Sequence, residues 1–328
     1  MNKKKIQKDA RILLKILNSK SKFNIQRNIQ TLGITRQSFQ NKFNKLKENK
    51  IIKNFTININ PNLLPTNLKF VILEIKTNPT EPFFIDELLK FNQLKILDGV
   101  LGEFSLFTLF VFESSTEYYE ILNYIDNLMA KSYFKKYQII ETIKVFKTNG
   151  IELDSIKVNS EFKIDEVDRL ILKILQDDQR LKPISTYEMK AILNENYMDI
   201  IKNYYKKGIS QPTIHNKIKK LEKEGIILNY SVNFHPKKLG YNGKYLIRIK
   251  PKDPSKYNRI ALNLVKNQYI TDLFRIGEQY GLFAIVRVEK IEDYATFIKD
   301  LYSSEEIEDT YTNFILDELI PYTNFIIS

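Results

Sequence analysis

Residues 41–61, NKFNKLKENKIIKNFTININP, and residues 216–236, NKIKKLEKEGIILNYSVNFHP, are two spellings of one pattern set 175 positions apart. A duplication constrains the fold more than any other feature, because the same unit must find a core twice in one chain. At that offset Gly33 aligns with Gly208, Leu46 with Leu221, Pro61 with Pro236, Gly102 with Gly277 and Tyr119 with Tyr294. Earlier, ILLKIL (12–17) aligns with LILKIL (170–175) at an offset of 158, so copy two carries 17 extra residues between its first helix and Gly208. Copy one runs from about residue 5 to 147 and copy two from about 163 to 320, joined by the polar stretch TNGIELDSIKVNSEF.

Within each copy the apolar spacing changes from helical to alternating. In copy two, Leu170, Ile171, Ile174 and Leu175 form a helical stripe behind Asp165 and Asp168, acids that suit a helix N-terminus. Ser210 is a good N-cap for a second stripe of Ile214, Ile218 and Leu221, which Gly225 stops. Copy one repeats this with Thr35 as cap, Phe39, Phe43 and Leu46 as stripe, and Lys50 in place of the glycine. Strand-like stretches follow in both copies: NFTIN and NYSVN, then KFVILEIK and KYLIRIK. Helical FFIDELLKF and YNRIALNLVKN, strands FSLFTLFVF and LFAIVRVE, helical STEYYEILNYIDNL and IEDYATFIKDLY, and final strands YQIIETIKVFK and TYTNFILDELI complete the pattern. The order β-α-β-β-α-β predicts a ferredoxin-like, α+β sandwich in each copy.

Composition narrows the function classes. Hydrophobic residues make up 43% and aromatics 12%, enough for packed cores and too apolar for a disordered polyelectrolyte. With no cysteine there is no disulfide, thiolate metal site or cysteine nucleophile, which fits a reducing cytoplasm. Arg11 and Lys15 interrupt the apolar positions near the N-terminus, unlike a signal peptide, and the longest apolar run, LFTLFVF, is far short of the roughly 20 residues that span a bilayer, so no membrane partner is expected. The net charge of +12 is uneven: residues 1–60 hold 15 basic and 2 acidic residues, and residues 161–240 carry a further excess of +4. Such patches suit a polyanion, although Lys-rich surfaces also serve solubility.

Copy two, with IDEVDRLILKILQDDQR, then GISQPTIHNKIKKLEKEGIILNYSVNFHPKKLG and IGEQYGLFAIVRV, resembles the Lrp/AsnC (feast/famine) family of transcription regulators, and copy one resembles it more loosely. The resemblance implies a helix-turn-helix domain, a hinge strand and a β-α-β-β-α-β effector domain in each copy. It places helix-turn-helix domains at 1–60 and 163–240, the latter holding the insertion, effector and pairing domains at 61–150 and 241–328, and a linker at 151–162. Members of the family normally carry one copy and dimerise, so the tandem chain looks like a dimer written as one polypeptide, with a further homo-oligomer open.

The resemblance makes the stripes ending at Leu46 and Leu221 candidate recognition helices. Opposite their apolar sides lie Arg36, Gln37, Gln40, Asn41, Asn44 and Lys45 in copy one and Gln211, His215, Asn216, Lys219 and Lys220 in copy two. Arg can take guanine O6 and N7, Asn or Gln adenine N6 and N7, and Lys a phosphate, so double-stranded DNA is the expected partner. Any amphipathic helix also has a polar outer side. Because the N-terminus of such a helix enters the groove first, Arg36, Gln37, Gln211 and His215 are the expected base readers. Lys202, Lys206 and Lys207 of the insertion and a basic arm of Lys3, Lys4 and Lys5 would extend the footprint.

In the family small effectors bind near the loop between the second and third effector-domain strands, which here places Gly102, Gly277, Tyr280 and Gly281 in GEFSLFT and GEQYGLF. The acidic residue of the family's loop is missing, so a different ligand, or none, stands beside an amino acid. No cofactor, metal or catalytic residue is expected: His215 and His235, the two histidines, lie 20 residues apart with no ligand cluster near them. Siroheme decarboxylases, similar in architecture and also found as paired halves, are the enzymatic alternative. They are expected to use effector-domain His and Arg, and both effector domains here lack His. A purely architectural DNA-binding or scaffold protein is the third reading.

Overall fold

The structure is a computed structural model and describes residues 3–18, 25–62, 68–78, 80–153, 162–178 and 183–327; side chains are described from residue 7 in the first helix and from residue 29 in the second. The first copy contains α1 (Lys3–Leu17), α2 (Ile25–Leu32), α3 (Arg36–Glu48), β1 (Ile52–Ile59), β2 (Lys69–Lys76), α4 (Pro82–Leu88), β3 (Leu94–Val100), β4 (Leu106–Phe112), α5 (Ser115–Ala130), β5 (Lys136–Thr148) and the short β6 (Ile151–Glu152). The second contains α6 (Glu166–Gln176), α7 (Thr186–Asn196), α8 (Met198–Tyr204), α9 (Gln211–Lys223), β7 (Ile227–Phe234), α10 (Pro236–Leu239), β8 (Gly243–Pro251), α11 (Tyr257–Leu264), β9 (Ile270–Ile276), β10 (Leu282–Val288), α12 (Ile291–Ser303) and β11 (Ile307–Glu318). These elements gather into two compact units.

One unit holds residues 1–65, 155–240 and 322–328, and so contains both helical heads. Its centre is an antiparallel ladder of β1 and β7, with Thr56 opposite Ser231 and Asn58 opposite Asn229. The heads are interleaved across that ladder: α1 of copy one packs on β7, and α6 of copy two packs on β1. Ile57 of β1 accordingly belongs to the buried cluster of Val167, Ile171, Ile214, Ile218 and Leu221 in the second head. In the first head Phe39, Phe43 and Phe55 stack in sequence, with centroids 6.5 and 5.4 Å apart, which carries the predicted stripe of α3 onto the hinge strand.

The tail of the chain also belongs to this unit. Residues 322–328, expected at the end of the second effector domain, run beside the hinge strand, where Thr323 exchanges backbone hydrogen bonds with Phe234 on β7. Asn324 donates to Asn58, Asn58 to Asn229, Asn229 to Asn18, and Asn18 to the Phe325 carbonyl, at 2.8, 2.7, 2.8 and 3.3 Å. Phe325 is buried edge-on to Phe234, with ring centroids 4.9 Å apart. Burying an aromatic ring and closing a ring of amides holds this segment in place.

The other unit, residues 66–154 and 241–321, is a closed ring of eight strands in the order β2-β4-β3-β11-β8-β10-β9-β5, with β5 returning to β2. Each half makes the ferredoxin-like strand order, and its last strand continues past its own sheet into the other half. β5 pairs with β2 through residues 136–141 and with β9 from Thr142 on; β11 pairs with β8 and then, through Ile315–Glu318, with β3. Outward side chains alternate with inward ones. Val71, Leu73 and Ile75 pack under Phe84, Leu88, Ile121 and Ile125 of α4 and α5, while Ile247, Ile249, Leu282 and Ala284 pack under Ile260, Phe297 and Leu301 of α11 and α12.

Two further expectations fall at the edges of the described residues. The polar connector begins late, since Ile151–Glu152 pairs with the end of β5 and Leu153 is buried; residues 154–161 of the expected linker lie outside the described residues. The basic arm of Lys3, Lys4 and Lys5 is the first turn of α1 in its backbone, and those side chains lie outside the described residues.

Candidate nucleic-acid interface

The third helix of each head is started and stopped by local chemistry. Thr35 Oγ1 accepts from the Ser38 amide (3.1 Å) and Ser210 Oγ from the Thr213 amide (3.3 Å), each satisfying one open donor at the helix start. Lys50 and Gly225 take φ of 52° and 70° just beyond the helices, the left-handed stop that glycine makes at no steric cost and lysine does not. Neither α3 nor α9 has an acid in its first turn, whereas α6 and α7 carry acidic capping boxes. The positive ends of α3 and α9 thus lack a counter-charge from their own first turns, a state that favours a phosphate.

Lysines on the inner shoulders orient both helices. Lys42 on α3 meets Asp9 on α1 at 3.0 Å. Lys217 on α9 reaches both Asp165 (2.6 Å) and Asp168 (2.9 Å) at the start of α6. Burial would raise the Asp165 carboxyl, but Lys217 and the Asp168 amide override it and hold it below the usual range. Lys217→Ala leaves Asp168 buried without its cation and is expected to destabilise the second head by about 2 kcal/mol, measured by hydrogen exchange on α6 and α9.

Arg36, Gln37, Gln40, Asn41, Asn44 and Lys45 are all exposed along one side of α3. Gln37 donates to Asn41 and Gln40 to Asn44 at 3.1 and 3.0 Å, so four amides form two ordered pairs. On α9, Gln211, His215, Asn216, Lys219 and Lys220 are exposed as well, with more protein partners. Gln211 donates to Thr186, Lys219 pairs with Glu222, and Lys220 sits 4.6 Å over the Phe162 ring. The insertion forms α8, whose Ile201 enters the core of the second head while Lys202, Lys206 and Lys207 stay exposed. Asn194 grips the turn before α9, donating to the Ile209 carbonyl and accepting from its amide at 3.1 and 2.8 Å.

The effector loops are less open than their glycines suggest. At Gly281, φ +81°, an added Cβ would collide with the Arg275 guanidinium and the Tyr257 ring. Arg275 donates to the Gly281 carbonyl at 2.6 Å and lies 3.7 Å over Tyr257, so the loop's own protein fills this corner. The Gly277 amide donates to the Glu141 carbonyl, and Tyr280 reaches Asp309. Gly102 lies with its φ at 148° beside Asn313 and Tyr311. Glu278, the acid that follows Gly277, turns inward to Arg248 at 3.0 Å.

Sequence reasoning missed the charged interior of the ring. Arg248 is buried against Glu74 (2.5 Å) as well as Glu278, and its guanidinium faces the rings of Phe283 and Tyr311. Nearby strands bury Asp98, Lys244, Arg287 and Glu318; Lys244 bonds Asp98 at 2.5 Å, and Arg287 grips Glu318 through two nitrogens at 3.1 and 2.6 Å. Burial would raise the Glu318 carboxyl, but Arg287 and then Lys244 hold it down to about 2, whereas burial dominates at Asp98 and raises it. The signal was present in KFVILEIK and KYLIRIK, where Glu74 and Arg248 put opposite charges at matching inward positions of the repeat. Among the described residues no group of three or more His, Cys, Asp or Glu is placed to hold a metal ion, and no helix is long and apolar enough to cross a membrane.

Two capped helix-turn-helix heads on a shared ladder, with a strand ring of two ferredoxin-like halves, define a two-headed helix-turn-helix protein with paired α+β domains. Residues 245–325 match the Lrp/AsnC ligand binding domain. Over 155 residues the chain is 31% identical to the HTH-type transcriptional regulator FL11 of Pyrococcus abyssi, covering 47% of this chain and 89% of that protein. It is 30% identical over 139 residues to the HTH-type transcriptional regulator LrpA of Pyrococcus horikoshii, covering 42% and 84%. The chain belongs to the Lrp/AsnC family of HTH-type transcriptional regulators. In fold it is similar to the siroheme decarboxylase NirDL, which aligns over 94% of this chain and 91% of its own with a TM-score of 0.62 at 12% identity, a likeness of fold alone.

Proposed function

We propose that this chain is a sequence-specific DNA-binding regulator whose two unlike heads read an asymmetric duplex site, with the two halves serving as each other's dimer partner. The observation that carries the reading is the pair of exposed, acid-free helix starts on α3 and α9, each presenting amides and cations outward. Arg36 and Gln37 act as base readers at the leading turn of α3, and Lys45, further along, holds phosphate. Gln211 and His215 take the corresponding place on α9, with Asn216, Lys219 and Lys220 behind them. The first head, at 15 basic against 2 acidic residues over positions 1–60, is the electrostatic anchor. The match to a ligand binding domain supports modulation by a small effector, with Gly102, Gly277, Tyr280 and Gly281 as the candidate contacts.

Selection from a random DNA library with purified protein, followed by salt titration, tests this. A selected sequence and a log-log salt slope of about −0.9 per phosphate neutralised are expected. Arg36→Ala with Gln37→Ala should cut the preference for the selected sequence by roughly 10- to 100-fold, while Lys45→Ala should weaken selected and random DNA alike. Equal losses on both DNAs from both changes would remove base reading from α3. The enzymatic reading has a shared fold with a siroheme decarboxylase in its favour. Haem-precursor absorbance that changes on incubation with the protein would support it, and both histidines lie outside residues 241–328 and 61–150.

A further inference from the structure

The strand registers allow every inward position of one half to be matched with its counterpart in the other. Phe70 pairs with Val111 and Glu74 with Phe107 across β2 and β4; Lys244 pairs with Arg287 and Arg248 with Phe283 across β8 and β10. Glu74 is therefore the counterpart of Arg248, Phe107 of Phe283, Phe70 of Lys244 and Val111 of Arg287. By the same registers Asp98, opposite Glu318, is the counterpart of Phe274, opposite Val145.

These counterparts are not alike, and they meet. Glu74 bonds Arg248 directly, and Phe107 stacks on Phe283 with centroids 5.5 Å apart and planes 2° from parallel. A position that touches its own counterpart lies on the pseudo-twofold axis relating the halves. Off the axis, Asp98 of the first half joins Lys244, Arg287 and Glu318 of the second in a buried ion cluster. Its symmetry mate brings Phe274 of the second half against Phe70, with centroids 6.0 Å apart, in a wholly apolar site with Val111 and Val145.

We propose that this ring accepts only unlike halves, so that the interface is a heterotypic lock whose one fitting partner is the other half of this chain. Two first halves would set Glu74 against Glu74 and strand Asp98 twice among Phe70, Val111 and Val145. Two second halves would set Arg248 against Arg248 and leave each Lys244, Arg287 and Glu318 group facing Phe274 instead of a carboxylate. Buried charges left without partners are what make a wrong pairing costly, even where the right pairing adds little stability. The hinge ladder does not discriminate by charge in this way, because its side-chain hydrogen bonds across the strands join asparagine to asparagine, Asn58 to Asn229 and Asn233 to Asn54, and its other registered pairs are uncharged. This inference rests on the self-pairing in the proposed function and not on DNA reading.

The test uses the full chain with a protease site placed between residues 154 and 161. After cleavage, the fragments are exchanged in mild urea, diluted and weighed by native mass spectrometry. One-to-one pairs of unlike fragments are expected, in more than about 100-fold excess over like pairs. Like pairs near the statistical share, or unlike fragments that do not re-pair, overturn the proposal. Glu74→Arg and Arg248→Glu should each reduce re-pairing, and the two together should restore it; a double variant no better than either single one also overturns it. Since no DNA is read in this assay, its failure leaves base reading by α3 and α9 standing, and loss of DNA selectivity leaves the lock standing.

Discussion

Glu318→Ala is expected to lower the stability of the strand ring by about 3–5 kcal/mol, because it takes from the buried Arg287 the carboxylate it grips and from the buried Lys244 one of its two. The same side chain gives the ring an acid sensitivity of defined sign. Its carboxyl is held at about 2 in the folded protein against 4.5 ordinarily, so the folded state binds the proton less readily than the unfolded chain. That contribution is complete above pH 4.5 and is lost as pH falls toward 2, roughly 3 kcal/mol in all. Urea unfolding followed through tyrosine absorbance, suitable because the chain has 19 Tyr and no Trp, should show a steeper loss below pH 4.5 in the parent than in the variant. Parallel pH profiles would mean that Glu318 is not held low.

Phe325→Ala should destabilise the unit of two heads by about 3–5 kcal/mol, the usual cost of replacing a buried phenylalanine. The ring packs edge-on to Phe234, and losing it also loosens the Asn18 contact to the Phe325 carbonyl. Hydrogen exchange should rise first in β7 and at the end of α1, with the strand ring unchanged. Exchange that stays at the parent level in both would show that the tail is held from elsewhere. Because α1 lies on β7 and α6 on β1, the loosening should reach the second head as well as the first.

The repeat, both third helices with their caps, and the strand order within each half were legible in the sequence, since each rests on local spacing or local chemistry. Phe39, Phe43 and Leu46 mark a buried side because helical positions three and four apart share a face, and all three are buried. What the sequence does not carry is which strands pair between the halves. Alternation along YQIIETIKVFK says which side chains turn inward, yet β5 pairs with β2 along one stretch and β9 along the next, a choice made by long-range register. The tail is a similar case: Asn324 and Phe325 look like an ordinary polar end until Asn58 and Phe234 are brought beside them. At the candidate interface, the exposure of Arg36 and Gln37 follows from the helix pattern, whereas the occupation of the Gly281 corner by Arg275 depends on a loop whose closure no periodicity reports.

With both halves of the closed strand ring supplied by one polypeptide, as the proposed self-pairing has it, assembly would be unimolecular and would not fade on dilution. A regulator built from two separate chains loses operator occupancy with the square of its concentration once scarce. If the proposed self-pairing is the DNA-reading form, this chain would lose it with the first power, and a change in expression would be answered in proportion rather than as a threshold.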